Sequence, residues 1–529
     1  MNGTGGTGTI APGQVVSLTL SPCHLVTLSC LLAAVCGLIF GYRLADRDLW
    51  SSHEARAGMD AQSVLEGGGA LPHLYDGRAE LQKPPLYYWL VAGVARLRGA
   101  AVDAWAVRLP AAVAALLCVG AVVALLWRRR PAAGLLAGLV LATAAHFTWL
   151  ARIGRVDMPL TLCVTVAVGG VYVARDLRRQ GRAGHAVTWL VAAYLAVAVG
   201  VLLKGPIAVV LPAAVVAAHL LAEGELPPPW RPRAWVALAH ELGLWWGLPL
   251  VAAVTVPCFY WLDTASGGEF GRVFFWHHNV ERGLGGSSLR SNPWWFYPPQ
   301  FAVDFLPWSP LLAVAAVWCW RRGYWRLDRE ARFGLAWFAA VLLVLSCARF
   351  KRADYLLPAY PGAALFLGCV WCDEAARRRG QPRLGTGLAL LPPGIAVGMV
   401  LFWGVRVGWT LPAREPFRDY RAFAAEVRRR APAPQPVYFF RTEAHALALH
   451  LGRPLAVLVQ WEQLRGRLLR PGTHHVVLPP DCAAEAAGAL PGVRLEEVLR
   501  NTDLSGGAHE RPLVLLRARP AVPPGAEGH

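Results

Sequence analysis

The sequence has little charge for its length. Only 16% of its 529 residues are charged, whereas 55% are hydrophobic and the mean hydropathy is +0.38. Because soluble globular chains usually carry about 25% charged residues, this composition excludes an ordinary soluble protein. Apolar runs long enough to cross a bilayer core of about 30 Å recur along much of the chain. The sequence therefore predicts a polytopic membrane protein embedded in a lipid bilayer.

Lysine is nearly absent. Of the 52 basic residues only Lys83, Lys204 and Lys351 are lysines, so arginine carries most of the positive charge behind the net value of +18. On a soluble chain such a charge would indicate nucleic-acid binding. Here most arginines flank apolar runs, where they orient transmembrane helices, so no nucleic-acid partner is expected.

The sequence also lacks a disulfide framework and a cleaved signal peptide. Most of its 11 cysteines lie inside apolar runs. The CxxC of Cys369 and Cys372 falls within a predicted span, where both side chains are expected to pack as small apolar groups. The N-terminus has no basic region and no A-x-A cleavage site. Residues 1–22 are therefore predicted to be a tail that precedes a retained first helix.

What the sequence does contain is a series of apolar segments. Segment 86–98 either crosses the membrane with a neighbour or lies along its surface, so about 11–13 transmembrane helices are expected. The other segments are 23–41, 107–127, 131–149, 158–174, 186–203, 206–222, 243–262, 299–320, 333–348, 355–372 and 385–405. When these alternate, four arginine clusters fall on one side, which the positive-inside rule assigns to the cytoplasm. The clusters are Arg128–Arg130, Arg175 with Arg178 and Arg179, Arg321 with Arg322, and Arg377–Arg379.

The opposite side is predicted to carry the longer loops and a second domain. Loops 42–106 and 263–298 belong to a transmembrane domain over residues 23–409. Residues 410–529 change character, with strand-like segments at "VYFF", "LAVLV", "HHVVLP" and "PLVLL". The predicted fold is mainly α and polytopic, with a small C-terminal α/β domain and a disordered tail.

All three lysines fall at helix ends on the predicted outer side. One interpretation is that they extend toward the lipid headgroups. The other is a phosphate site, because a compact ammonium fits against a crowded phosphate where the planar fork of arginine does not. The sequence leaves both open.

Two acidic residues lie on the same side. Glu54 follows His53 directly after the first span, and it is either a helix-start carboxylate beside Arg56 or a functional acid. Asp157 lies where a helix re-enters the membrane, and it is either a helix cap or a catalytic carboxylate. The residues alone do not decide between these roles.

Seven motifs, taken in order, resemble the bacterial lipid-linked glycosyltransferases of the membrane-embedded GT-C class. The resemblance covers about residues 25–375. Over this range the chain is similar to the aminoarabinose transferase that modifies lipid A and to the protein O-mannosyltransferases (families 39 and 83). The motifs are "HEARAGMDAQSVLEGGGALPHLYDGRAELQKPPLYYWL", "RLPAAVAALL", "ARIGRVDMPLTL", "GVLLKGPIAVVLP", "FFWHHNVERGLGG…PWWFYPP", "FLPW" and "RFKRADYLLPAYPGAALFLG".

This resemblance implies a polyprenyl-phosphate sugar as donor and a lipid, glycan or protein as acceptor. It also implies a bacterial inner membrane location with the active site on the extracytoplasmic face. By position, Glu54 and Asp157 match the family's catalytic acids, and His53 stands where the family has the first Asp of a pair. The residues that match the carrier-phosphate ligands are Lys83, Lys204, Arg282, Lys351, Tyr355 and Arg56.

The chain departs from the family at two positions. His53 replaces the Asp that usually acts as acid–base catalyst, so Glu54, Asp157 and His53 itself are the candidate bases. Gln82 replaces a Glu before Lys-Pro-Pro, with Glu80 two residues earlier.

In some relatives a metal lies near that Glu and a loop histidine. A divalent metal at Glu80, His277 and His278 is therefore a further hypothesis, although adjacent histidines on a helix diverge by about 100°. No other cofactor is expected.

The sequence thus favours an integral-membrane glycosyltransferase. Two alternatives remain: a flippase or transporter of lipid-linked sugars, and a non-catalytic glycolipid-binding relative. A transporter would often show charges within the spans and an internal repeat, and the sequence shows few of the former and none of the latter.

Overall fold

The computed structural model describes residues 21–49, 51–67, 69–73, 77–281, 292–323, 328–378, 381–453 and 455–521. The chain divides into two compact units. The transmembrane unit consists of Met1–Tyr42, Leu81–Leu86 and Pro110–Gly404, and the second unit of Arg43–Glu80, Tyr87–Leu109 and Val405–His529. Most of the predicted first loop is thus grouped with the C-terminal region, whereas Leu81–Leu86 belongs to the transmembrane unit.

Helices, most of them apolar, make up the transmembrane unit. In chain order they are α1 (Pro22–Gly41), α4 (Ala104–Leu126, whose first turns belong to the second unit), α5 (Pro131–Thr143), α6 (Ala145–Ala151), α7 (Asp157–Arg179), α8 (Ala183–Lys204), α9 (Ile207–Glu223), α10 (Pro232–Glu241), α11 (Leu244–Ala265), α12 (Tyr297–Asp304), α13 (Ser309–Arg322), α14 (Arg329–Cys347), α15 (Tyr360–Arg377) and α16 (Pro382–Val405). A π-helix at Gly271–Glu281 and 3₁₀ turns at Trp294–Phe296 and Ala353–Ala359 connect some of them.

Among the described residues, eight helices are long and apolar enough to span a membrane, or ten if two bent pairs each count as one span. This is fewer than the sequence predicts because α9 has only 17 residues and the apolar helix α3 (Leu86–Leu97) only 12. The chain is a mainly α, multi-pass membrane protein, as predicted. Cys369 and Cys372 are buried within α15, also as predicted.

Two of the predicted continuous spans are broken. Helices α5 and α6 meet at 69°, and the segment Trp294–Asp304 meets α13 at 110°. A break frees backbone groups that lipid cannot satisfy, and here the two breaks satisfy each other. The Ala145 amide donates to the Leu306 carbonyl at 2.8 Å, and the indole N–H of Trp308 donates to the Thr143 hydroxyl at 3.1 Å.

Helices α14 and α15 cross at a pair of glycines. A Cβ on Gly334 would lie 2.6 Å from the Phe366 backbone nitrogen, and a Cβ on Gly362 would lie 2.7 Å from the Phe338 nitrogen. Only glycine allows two backbones to approach this closely, which is how small residues pack helices in lipid. This packing fixes the start of α15, which follows directly on the 3₁₀ turn of the site described below.

The second unit joins the first loop to a C-terminal α/β domain. Its helices are α2 (Ser52–Gly67), α3 with the first turns of α4, and in the C-terminal part α17 (Leu411–Arg414), α18 (Arg421–Arg430), α19 (His445–Leu451), α20 (Trp461–Leu468), α21 (Pro480–Ala489) and α22 (Asn501–Leu504). A short π-helix (Arg406–Thr410) and a 3₁₀ turn (Glu415–Phe417) precede α18. The strands are β1 (Val437–Phe440), β2 (Ala456–Leu458), β3 (His474–Leu478), β4 (Val493–Arg500) and β5 (Val514–Pro520).

The sheet has the order β2-β1-β3-β5-β4. Strand β1 pairs parallel with β2 and β3, whereas β5 pairs antiparallel with β3 and β4. The four predicted strands are confirmed. Strand β4 was not predicted, because its sequence VRLEEVLR mixes charges with apolar residues and it lies at an exposed edge of the sheet.

Candidate functional site

The transmembrane unit carries a group of charged side chains at the helix ends opposite the arginine clusters. We call this group the Asp157 cluster; it consists of His146, Arg155, Asp157, Lys204, Asp304, Asp354, Tyr355 and Tyr360. Each comes from the end of a different helix or from a link between helices. The two broken spans supply His146, just after one break, and Asp304, just before the other.

Asp157 is buried between two cations. The Lys204 ammonium lies 2.5 Å from one carboxylate oxygen, and the Arg155 guanidinium lies 3.1 Å from the other. The Asp157 side chain is 3% exposed, whereas that of Lys204 is 21% exposed. The N-cap residue of α7 is Val156 and Asp157 is the first residue of the helix, so its predicted role as a helix cap is wrong. The carboxylate is held instead by ion pairs with Arg155, two residues earlier, and with Lys204 at the end of α8.

Lys204 is fixed by a second contact. Its ammonium lies 4.1 Å from the centre of the Tyr355 ring, a distance at which the ring attracts a cation. Gly205 follows with φ 83° and ψ −150°, a conformation that is essentially restricted to glycine. The turn after α8 therefore orients Lys204 toward Asp157 and Tyr355.

A second carboxylate, Asp354, extends the cluster. Arg155 lies 2.5 Å from it and so bridges Asp157 and Asp354. On its other side, His146 Nε2 lies 3.3 Å from Asp354. The His146 Nδ1 lies 3.2 Å from the Tyr360 hydroxyl and 3.5 Å from Asp304. Three carboxylates, two permanent cations and a histidine thus form one network that is only partly exposed to solvent.

The second unit holds a different group, the Glu54 cluster, which consists of Glu54, Arg56, Asp60, Glu80, Tyr88 and Arg108. Arg108 binds both oxygens of Glu54, at 2.7 Å and 3.3 Å. It also donates to the carbonyls of Leu44, Arg47 and Asp48. The two side chains are 0% and 1% exposed, so this is a closed, buried ion pair.

Arg56, the arginine beside Glu54 in the sequence, pairs with Glu80. Burial alone would lower the pKa of Arg56, but the carboxylates of Glu80 and Asp60 raise it above its usual value. Burial, reinforced by Asp60 and Glu80, raises the pKa of Tyr88 well above its usual value. The Ser51 hydroxyl caps α2 by accepting from the Glu54 amide at 3.1 Å.

The other predicted ligands have diverse surroundings. Lys351 is buried, and its ammonium donates to the carbonyls of Asn292 and Ala348. Lys83 and Gln82 are half-buried in the segment Leu81–Leu86. His53 is half-buried in α2. Arg282 lies outside the described residues.

The metal hypothesis gains no support in the described part of the chain, where no three His, Cys, Asp or Glu side chains converge as metal ligands would. Glu80 is already neutralised by Arg56. His277 is exposed in the π-helix, and the side chain of His278 lies outside the described residues. A divalent metal stays a prediction, and no chemical step below depends on it.

Comparison with known proteins identifies relatives of the chain. Residues 82–261 match the family described as dolichyl-phosphate-mannose-protein mannosyltransferase. The chain is 30% identical over 375 residues to an undecaprenyl phosphate-alpha-4-amino-4-deoxy-L-arabinose arabinosyl transferase of Pseudomonas aeruginosa (strain LESB58). This alignment covers 69% of the chain and 64% of the relative, so the chain spans less than two thirds of the relative's length.

Solved structures show the same fold. ArnT from Cupriavidus metallidurans, bound to undecaprenyl phosphate, superimposes with a TM-score of 0.74 at 19% identity, covering 94% of this chain and 98% of ArnT. In sequence and in fold, the chain is thus similar to membrane-embedded lipid-linked glycosyltransferases. The archaeal oligosaccharyltransferase AglB from Archaeoglobus fulgidus shares this fold more distantly, with a TM-score of 0.59 at 11% identity over 88% of this chain and 70% of AglB.

In this chain, the sequence alone pointed to Asp157, Lys204 and Tyr355, but it did not point to Asp354 and Arg108. Both missed residues lie in motifs that carry the resemblance, "RFKRADYLLP" and "RLPAAVAALL". Asp354 could have been found as a carboxylate beside two basic residues at a membrane re-entry, which is costly unless it is paired or used. No local signal pairs Arg108 with Glu54, which is 54 residues away.

Proposed function

We propose that this chain is a glycosyltransferase that moves a sugar from a polyprenyl-phosphate carrier to a lipid, glycan or protein acceptor. The observation that carries the proposal is the Lys204 ammonium, partly exposed and held between Asp157 and Tyr355 at a helix end. The names of the relatives support it, since the Pseudomonas protein is an undecaprenyl phosphate-dependent arabinosyl transferase and the solved ArnT holds undecaprenyl phosphate.

The carrier phosphate is the ligand that suits Lys204. An ammonium forms short, charge-assisted hydrogen bonds with phosphate oxygens from several directions. Because Lys204 already pairs with Asp157, the phosphate would have to compete with that carboxylate. Lys83 and Arg282 are further phosphate ligands by resemblance alone. Lys351 and Arg56 are engaged with protein groups and are weaker candidates.

Competition for Lys204 gives Asp157 a role as the base. When Lys204 turns toward the phosphate, Asp157 keeps Arg155 but loses one cation, and its affinity for a proton rises. Asp157 then accepts the proton of the acceptor hydroxyl while that oxygen bonds to the anomeric carbon. The bond between this carbon and the phosphate oxygen breaks, and Lys204 stabilises the charge that develops on the leaving phosphate.

Among the other candidate bases, Glu54 is less suited because its two oxygens are occupied by the buried Arg108. A carboxylate bound in this way is a structural ion pair in the first instance. His53 is retained as a candidate by its position in the family pattern.

The proposed site belongs to the extracytoplasmic face of a bacterial cytoplasmic membrane. Asp157 begins α7 and Lys204 ends α8, whereas Arg175, Arg178 and Arg179 lie at the far end of α7. The positive-inside rule assigns that far end to the cytoplasm, which leaves the Asp157 cluster outside.

The test is sugar transfer by the purified protein in proteoliposomes. Radiolabelled polyprenyl-phosphate sugars, including aminoarabinose and mannose, are supplied together with a bacterial membrane extract as acceptor. Asp157→Asn should retain donor binding and lose about 10²–10⁴-fold in turnover, the contribution of a positioned base. Lys204→Gln should instead weaken donor binding, because it removes a phosphate ligand.

Asp176→Asn is the matched control, since Asp176 lies on the same helix near its arginine-rich end. It should leave transfer unchanged. If Asp157→Asn transferred sugar at the normal rate while Glu54→Gln or His53→Ala did not, the base would be reassigned. If no donor in the panel supported transfer although one was bound, the enzyme proposal would be wrong.

A further inference from the structure

A cavity of about 630 Å³ lies among helices α7, α8, α9, α10 and α11 of the transmembrane unit. Small-molecule sites usually measure about 300–1,000 Å³. All but two of the lining residues are Ala, Val, Leu or Pro. The two exceptions are already satisfied: the Tyr194 hydroxyl donates to Leu242 at 2.8 Å, and the Trp235 indole N–H donates to Pro228 at 3.1 Å. The wall therefore suits a hydrocarbon chain and not a polar ligand.

The cavity exists because small side chains face it. Ala213 and Ala217 of α9 remain exposed to it, since neither is long enough to reach the opposite wall. Helix α10 covers the cavity only loosely: Leu238 is its one buried residue, and Trp235 and Val236 are 40% and 68% exposed. This apolar surface is available to another molecule.

Helix α10, which lines the cavity, lies at the arginine-rich end of α7. Arg175, near the end of α7, pairs at 2.8 Å with Glu225, which precedes α10, and at 2.8 Å with Glu241, the last residue of α10. Helix α10 therefore lies at the membrane face to which the positive-inside rule assigns the cytoplasm.

Two cations lie at the start of α10. Arg231 is its N-cap residue and Arg233 lies in its first turn; both are exposed, and neither forms an ion pair with any described residue. Arg231, Trp235 and Leu238 follow a spacing of four and three residues, which places them on one helix face. That helix face therefore joins a positive charge to the apolar wall of the cavity.

We infer that the cavity binds an acyl chain of an anionic phospholipid from the arginine-rich leaflet, with the lipid phosphate at Arg231 and Arg233. An anionic lipid combines the two properties that this helix face presents. The tail of the glycosyl donor is a poorer fit, because its phosphate is proposed at Lys204, at the opposite end of α8. The inference does not depend on the proposed function.

The test is a lipid titration of the purified, delipidated protein by native mass spectrometry. The probes are phosphatidylglycerol and phosphatidylcholine with identical acyl chains. Wild type should bind phosphatidylglycerol in preference to phosphatidylcholine. Ala213→Leu with Ala217→Leu should lose one bound lipid of either kind, because the leucines fill the cavity. Arg231→Gln with Arg233→Gln should keep phosphatidylcholine binding and weaken phosphatidylglycerol binding by about fivefold for each arginine removed.

Two control variants match these changes. Ala253→Leu adds the same bulk at an exposed position of α11 outside the cavity, and Arg321→Gln removes an exposed arginine at the end of α13. Neither should change lipid binding. The inference is wrong if the filled variant binds as much phosphatidylglycerol as wild type, or if polyprenyl phosphate displaces the lipid from wild type. Should the filled variant fail to fold, an unchanged lipid preference in the arginine variant would also overturn the inference.

Discussion

The Glu54–Arg108 pair shows how a residue in a family motif can be held for structure. Arg108 makes five hydrogen bonds, to both oxygens of Glu54 and to three backbone carbonyls, and neither side chain is accessible to water. Glu54→Gln would leave the Arg108 charge buried without its counter-ion. We expect a loss of about 3–5 kcal/mol in stability, measured as a lower melting temperature in detergent.

Asp46→Asn provides the control for this prediction, since Asp46 pairs with Arg43 but its side chain is 47% exposed. Exposed pairs contribute about 0–1 kcal/mol, so the melting temperature should hardly change. A Glu54→Gln protein as stable as wild type but without transfer activity would contradict the structural role and restore Glu54 as the catalytic base.

Asp48 makes the second unit sensitive to acid. Burial alone would raise the pKa of Asp48, but hydrogen bonds from His450 and from the amides of Leu49 and Tyr420 lower it below its usual value. A carboxyl whose folded pKa is lowered stabilises the fold above its unfolded pKa and loses that contribution as pH falls. Stability should therefore drop below about pH 4.

The pH prediction is checked by melting temperatures measured from about pH 3 to about pH 7. Asp48→Asn should lower the melting temperature near neutral pH and reduce the further decrease in melting temperature at low pH. A decrease at low pH as steep as that of wild type would show that other carboxyls cause the loss of stability.

At the residue scale, the sequence was sufficient to identify a site residue where a single position is unusual by itself. Rare lysines led to Lys204, and a carboxylate at a membrane re-entry led to Asp157. Their mutual contact, 47 residues apart, was not predictable, because no local pattern fixes which helix ends meet. The same holds for Glu54, whose partner Arg108 lies 54 residues away.

At the element scale, the turn between α8 and α9 positions the proposed phosphate ligand. A Cβ on Gly205 would lie 2.6 Å from the Phe274 ring. The φ of Gly205 is 83°, which is unfavourable for any other residue. We expect Gly205→Ala to cost about 1–3 kcal/mol in backbone strain, with a further cost for moving Phe274. Because Lys204 is the preceding residue, donor affinity should fall as well, measured with labelled polyprenyl-phosphate sugar.

Gly224, at the other end of α9, is the matched control. Its φ is 72°, but a Cβ there would meet nothing within 4 Å. Gly224→Ala should therefore cost only the strain of a left-handed residue, about 1–2 kcal/mol, with unchanged donor affinity. Equal loss of affinity in both variants would argue against a specific role for the Gly205 turn.

Hydropathy predicted where the spans lie but not where they break. Segments 131–149 and 299–320 are each hydrophobic enough to be predicted as one span. Pro307 and Pro310 mark the second bend in the sequence, whereas no proline or glycine lies beside the bend after Thr143. The breaks are stable because each supplies partners for the other, which only the three-dimensional arrangement reveals. Edge strand β4 escaped prediction for a related reason, since its exposed charged residues obscure the alternation of a strand.

At the scale of the whole molecule, the arrangement of arginines predicts a single orientation in the membrane. Arg233 lies on α10, at the arginine-rich face, and Arg272 lies in the π-helix after α11. Each can be changed to cysteine in a protein otherwise free of cysteine. In intact bacterial spheroplasts, a membrane-impermeant maleimide should label Arg272→Cys and not Arg233→Cys. Labelling of Arg233→Cys alone would reverse the orientation and place the proposed site in the cytoplasm.

The three lysines make this protein unusually easy to observe by isotope labelling. Reductive methylation with ¹³C-formaldehyde modifies amines and leaves guanidinium groups untouched, so the 529-residue chain would give ε-amine signals from Lys83, Lys204 and Lys351 alone. The Lys204 methyl groups would lie against the face of the Tyr355 ring, and the ring-current effect would shift their NMR resonance upfield. Movement of Lys204 from Asp157 toward a ligand would then be visible in one NMR peak, without any engineered probe.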